Sequence, residues 1–174
     1  ITPEQLEAAI TEKTRALILC SPSNPTGSVY SRQELEALKD VLLRHENVIV
    51  IADEIYEHIN YVGEHASMAQ FPDIKDRVVI INGVSKSYAM TGWRLGYAIA
   101  PKPIMDRIKQ YHDFNTVGCA SPLMEAAVVG LDMPDSYYEE FGAHYAHMKK
   151  LFTEGLDRIG IPYTDPQGAY FVLA

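Results

Sequence analysis

Within Gly83-Val84-Ser85-Lys86-Ser87-Tyr88-Ala89-Met90-Thr91-Gly92-Trp93-Arg94-Leu95-Gly96, a lysine follows an apolar run and an arginine follows a Gly-Trp turn. A lysine held in a half-apolar turn near a second cation gives up its proton near neutral pH and attacks carbonyls. An arginine fork beside it grips a phosphate through paired hydrogen bonds. Lys86 and Arg94 together therefore suit a phosphorylated carbonyl compound, a description that pyridoxal phosphate meets. The simplest alternative is a solvated loop lysine and a surface ion-pair partner.

Two upstream stretches carry polar groups of matching kind. Asp53 ends the apolar run Val48–Ala52, so its carboxylate is expected to be partly buried and to need a partner. Opposite a pyridine nitrogen it would keep that nitrogen protonated. Tyr56 lies one helical turn further on, and Asn24 sits in the turn-rich loop Ser21–Gly27. Asp53-Glu54 also fits a helix cap, or the Mg²⁺-binding strand of a P-loop ATPase, although no G-x-x-x-x-G-K-[ST] occurs in the chain. Asn24-Pro25 is expected to be a cis peptide, because the loop has to turn sharply to aim the amide.

These residues need a frame. Thr2 and Gln5, then Ser31 and Glu34, read as capping boxes opening two helices. Leu35, Leu38, Val41 and Leu42 mark the inner face of the second. Ala16–Cys20, Val48–Ala52 and Val78–Ile81 read as buried strands, and Leu95–Ala100 as a fourth. The gap from Ala52 to Val78 leaves room for a crossover helix, with a surface stretch reaching Asp76. Helices follow from Pro103 to about Phe114, from Pro122 to about Leu131, and from Pro134 to Gly160. The last carries Tyr137, Phe141, Tyr145, Met148, Phe152 and Leu156 at helical spacing. Alternating strands and helices predict an α/β chain with a largely parallel sheet. Asn24, Asp53 and Ser85-Lys86 then meet beyond the carboxyl ends of three strands, where such sheets bind ligands.

The stretches Ser23-Asn24-Pro25-Thr26-Gly27, Asp53-Glu54-Ile55-Tyr56 and Ser85-Lys86 through Trp93-Arg94-Leu95-Gly96 resemble, in order and spacing, the class I/II aminotransferases. These are fold-type-I enzymes dependent on pyridoxal 5′-phosphate (PLP). The resemblance runs over essentially the whole chain. It implies a three-layer α/β/α large domain with a mixed, mostly parallel sheet, whose strand Leu95–Ala100 runs antiparallel. It divides the chain into large-domain residues 1–133 and an interdomain helix with the start of the small domain, residues 134–174. It implies PLP bound covalently through Lys86, its ring nitrogen at Asp53, its ring oxygen at Tyr56 and Asn24, and its phosphate at Arg94. The phosphate-binding hydroxyl that many relatives carry three residues before the lysine is Gly83 here, which leaves Ser85 as the nearest hydroxyl. The activity implied is transfer of an amino group from an L-amino acid, aspartate or an aspartate/aromatic range, to a 2-oxo acid such as 2-oxoglutarate. The alternatives are an aromatic, methionine or kynurenine-type aminotransferase, a C–S β-lyase, and the aminotransferase-like sensor domain of a transcription regulator. A homodimer is implied by resemblance alone.

Composition bounds the rest. The 174 residues carry a net charge of −8, which argues against nucleic acid as a bulk electrostatic partner. No apolar run approaches a membrane span. The two separated cysteines read as reduced thiols and a cytoplasmic setting. No metal-ligand pattern stands out. An initial Ile1 and a final run, Ala169–Ala174, that reads as an interrupted strand suggest a piece of a longer protein; the resemblance implies that the phosphate-cradling turn, the ring that stacks on the pyridine and the substrate-carboxylate arginine lie outside it. Gln110–Met148 contains no lysine or arginine, so either a cation for an acidic substrate comes from elsewhere or the preferred donor is neutral.

Overall fold

The two capping boxes form as the spacing predicts. In the computed structural model, which describes residues 1–174, Thr2 Oγ1 accepts from the Gln5 N–H at 3.2 Å and Gln5 Oε1 accepts from the Thr2 N–H at 2.9 Å, opening α1 (Pro3–Ala9). Ser31 and Glu34 repeat the exchange at α2 (Arg32–Leu43). Leu35, Leu38, Val41 and Leu42 of α2 are buried against the sheet.

The sheet runs in the order β1 (Ala16–Cys20), β2 (Ile49–Asp53), β3 (Val78–Gly83) and β4 (Gly96–Ile99). The first three pair in parallel and β4 pairs antiparallel with β3, so the sheet is mixed and mostly parallel. Leu19, Val50, Ala52, Val78 and Ile80 face α1 and α2 in one core cluster. On the opposite face Ile18 is 73% exposed while Val79 is buried, and Ile99, paired with Ile80 at the edge of the sheet, is 60% exposed. Lower down the chain come α4 (Lys102–Thr116), α5 (Ser121–Leu131) and α6 (Asp135–Ile159). Gly160 closes α6 in the left-handed conformation, φ 73°.

Two expectations fail. The connection from β2 to β3 contains no α-helix and is not a surface stretch. It makes two 3₁₀ segments, Met68–Gln70 and Pro72–Arg77, and Met68, Phe71 and Ile74 are each at most 4% exposed. Side chains three apart eclipse on a 3₁₀ helix, so this spacing buries one row while Pro72 bars a continuous α-helix. Ala169–Ala174 is likewise no strand. Its neighbour Gly168 makes a single antiparallel bridge to Asn60, and the chain then turns.

Gly83 explains the missing hydroxyl. A Cβ there would stand 2.8 Å from Gly96 Cα and 2.9 Å from the Leu95 carbonyl oxygen, where β3 and β4 close together. Only glycine fits that approach without moving backbone.

Candidate active site

The sheet register brings the strand ends level. Cys20 pairs with Asp53, and Asp53 with Ile81, two residues before β3 ends. Beyond β1 the chain enters the Ser21–Gly27 loop, where both Ser21–Pro22 and Asn24–Pro25 are cis; the second was expected and the first was not. Beyond β3 it enters the short helical turn α3 (Val84–Ser87), which carries Lys86.

Four of the six candidate residues converge. Asp53 is half-buried, and its Oδ1 accepts from the Ile55 N–H at 3.3 Å. The Tyr56 ring meets that of Tyr170 edge-on, and Tyr170 and Asn24 are the polar groups that act on its hydroxyl. Burial, then the Tyr170 neighbour, holds the Tyr56 hydroxyl well above the ordinary phenol range, against the pull of the Asn24 hydrogen bond. It therefore stays a proton donor. Lys86 Nζ stands over two aromatic faces, 5.6 Å from the Tyr56 centroid and 5.4 Å from that of Tyr170. Cys20 ties the group together: burial raises its thiol, the Asn24 backbone N–H lowers it, and the Asp53 charge raises it.

The other two candidates stand apart. Ser85 is half-buried, and its hydroxyl makes no hydrogen bond within the chain. Arg94 is exposed, in the left-handed conformation at φ 55°, and donates to the Thr91 carbonyl at 3.0 Å with no acidic partner. It borders a cavity of about 450 Å³ with His112, Thr116 and Cys119, lined by none of Asn24, Asp53, Tyr56 or Lys86. A concavity of about 780 Å³ runs along α4, a helix with no buried residue. It is a surface groove, and the convergence of strand ends carries the chemistry instead. Glu54, next to Asp53, is committed inward: Ser67 Oγ donates to Oε1 at 2.7 Å and His65 Nε2 lies 3.1 Å from Oε2.

Sequence reasoning missed the C-terminal contribution. Tyr170 packs edge-on to Tyr56 at 5.5 Å, and Ala169 is fully buried beside Ile59. The segment is pinned to the Asn24 loop: the Gln167 and Gly168 N–H groups both donate to the Gly27 carbonyl, at 2.9 and 2.8 Å. A glycine next to a small residue and two aromatics, Gly168-Ala169-Tyr170-Phe171, was the available signal. A Cβ on Gly168 would lie 2.7 Å from Pro22 Cβ and 2.8 Å from Val29 Cγ2. Gly168→Ala is expected to cost about 1–3 kcal/mol, since Pro22 cannot rotate away. A urea midpoint unchanged from the wild type would show that this packing is not needed.

The whole chain, residues 1–174, matches the family model for aminotransferase class I and II. It is 42% identical over 175 residues to an aspartate aminotransferase of Geobacillus stearothermophilus, covering 99% of this chain and 44% of that protein. The crystal structure of the aspartate aminotransferase from Rhizobium meliloti superposes with TM-score 0.92 at 41% identity, over 97% of this chain and 43% of the other. An aromatic aminotransferase structure from Pyrococcus horikoshii superposes at 0.89 and 37% identity, over 97% of this chain and 46% of the other. The chain thus spans less than half the length of these relatives.

Proposed function

The chain belongs to the class I and II aminotransferases, and we propose that it forms the PLP-binding centre of an enzyme moving an amino group from an L-amino acid to a 2-oxo acid. One observation carries this: an amide, a carboxylate, a phenol and an amine converge from three strand ends. The donor set fits the cofactor. Asp53 would sit at the ring nitrogen and hold its proton. Tyr56, kept protonated by burial, and Asn24 would donate to the ring oxygen. Arg94 and Ser85 lie outside that cluster; the resemblance assigns the phosphate to Arg94, a guanidinium without an acidic partner, with Ser85 as a further hydroxyl. Bound there, PLP supplies the electron sink for a carbanion at the substrate α-carbon. Lys86 would hold the cofactor covalently in the resting enzyme and, once displaced, carry the α-proton.

For the donor we propose aspartate or an aspartate/aromatic range. The aspartate and aromatic relatives support both arms, and the Tyr56–Tyr170–Phe171 cluster offers apolar faces. We further propose a large domain over residues 1–133 and the beginning of a small domain over 134–174. A homodimer in a cytoplasmic setting completes the proposal. Tyr111 and Phe114, 77% and 88% exposed on α4, support burial by further protein.

The test uses the full-length protein. Borohydride reduction with PLP, followed by peptide mapping, is expected to label Lys86. A label on Lys75 or Lys102 with Lys86 unmodified overturns the reading. A donor panel with 2-oxoglutarate then separates the substrate classes. Release of ammonia without transfer would mark a lyase.

A further inference from the structure

The turn that carries Lys86 is short and strained. Its helix has four residues, Val84–Ser87, too few for an internal ladder. Ala89 follows at φ 54° and Arg94 at φ 55°, a region L-residues with a Cβ avoid. Such backbone persists only where surrounding structure over-determines it. Around Ser87 and Tyr88, just before Ala89, that surrounding structure includes the first turn of α6. Tyr137 Oη donates to the Ser87 carbonyl at 2.7 Å, serving the residue directly after Lys86. The Tyr137 ring stacks on Tyr88 at 5.9 Å and on Phe141 at 6.0 Å. Tyr88 and Tyr138 share a hydroxyl–hydroxyl bond of 2.7 Å. Behind Tyr88 the fit is close: a Cβ on Gly130 of α5 would lie 3.4 Å from its ring. Tyr138 also stacks at 4.2 Å on His58, in the turn that follows Asp53 and Tyr56.

We infer that Tyr137 is a positioning residue for Lys86, fixing the lysine turn through the Ser87 carbonyl and coupling that turn to the long helix α6. The inference rests on the role proposed for Lys86 above. Burial raises the Tyr137 hydroxyl above the ordinary phenol range, so it remains a donor through neutral pH. The bond touches neither substrate nor cofactor. Its loss lets the turn wander and degrades alignment of the lysine amine, an effect on the chemical step. The α6 helix also leads to the segment that pins the Asn24 loop, so one rigid element reaches both sides of the site.

The experiment compares full-length wild type, Tyr137→Phe and Tyr163→Phe. Tyr137→Phe keeps both ring stacks and removes only the donor. Tyr163→Phe removes a hydroxyl bond to Asp157 near the far end of α6 and serves as control. Tyr137→Phe is expected to lower kcat by about threefold to tenfold with donor KM within twofold. It is also expected to shift the pH midpoint of the bound cofactor's absorbance and to speed amide exchange over Val84–Met90. Tyr163→Phe leaves all of these unchanged. A merely structural role would lower the melting temperature without moving the KM-against-kcat split or the absorbance midpoint, and that result overturns the inference. If Tyr137→Phe does not fold, Tyr88→Phe, which weakens the same clamp at its second bond, is expected to shift the absorbance midpoint in the same direction; no shift overturns it. Failure of the underlying reading is separate: wild-type enzyme would then show no borohydride label on Lys86, and the positioning role falls with it.

Discussion

Lys86→Ala in the full-length protein is expected to reduce transamination by at least the roughly 10²–10⁴-fold that a positioned general acid–base group contributes. The reason lies in placement. The lysine emerges just beyond β3, and its Nζ stands over the rings of Tyr56 and Tyr170. Lys39 and Lys149 also stand over aromatic rings, but each is paired with an aspartate at 2.9 Å, and Lys102 on α4 is paired with Asp106 at 2.7 Å in solvent. Lys86→Arg separates charge from proton transfer. It keeps a cation for the two aromatic faces, worth about 0.5–2 kcal/mol, but a guanidinium does not give up its proton in proteins. Lys86→Arg should therefore melt nearer to wild type than Lys86→Ala while being about as inactive. Single-turnover measurements with a pre-bound donor decide the matter. Activity above one-tenth of wild type in both variants would remove Lys86 from the chemistry.

Asp53→Asn is expected to lower kcat on the order of 10²–10³-fold, the range for loss of one preorganised electrostatic partner, with little change in donor KM. The amide is nearly isosteric and its oxygen can still accept from the Ile55 N–H, so the local turn survives. What disappears is the negative charge that would hold a proton on the ring nitrogen. A second readout is available without cofactor. The Asp53 charge raises the Cys20 thiol, although burial does so more strongly. Removing the charge should lower that pKa and speed alkylation of Cys20 at fixed pH. Near-native turnover together with faster Cys20 alkylation would place Asp53 at the sheet edge but outside the catalytic group.

Much of this site was legible because each residue follows a strand. A short apolar run bounded by turn residues identifies a buried strand, and in a parallel sheet strand ends are where ligands bind. That rule singled out Asn24, Asp53 and Lys86 without any knowledge of distances. The capping boxes fixed the starts of α1 and α2 for the same kind of reason, since their partners are three residues apart. The connection from β2 to β3 misled because its 3₁₀ periodicity is too short to register as a helix, even though it supplies Met68, Phe71 and Ile74 to the core.

The places of the strands, the edge at which polar groups gather and the family motifs were set by local sequence, because spacing and side-chain type act over a few residues. Which rings stand over Lys86 was not. Tyr170 is 84 positions from Lys86 in the numbering and reaches it only because Gly168 lets the chain lie against Pro22 and Val29. Nor could the pairing of Tyr137 with the Ser87 carbonyl be read from its place in an apolar stripe, which says that a ring is buried and not what its hydroxyl meets. Contacts between distant segments depend on how the helices pack over the sheet, and packing is decided by the whole chain at once.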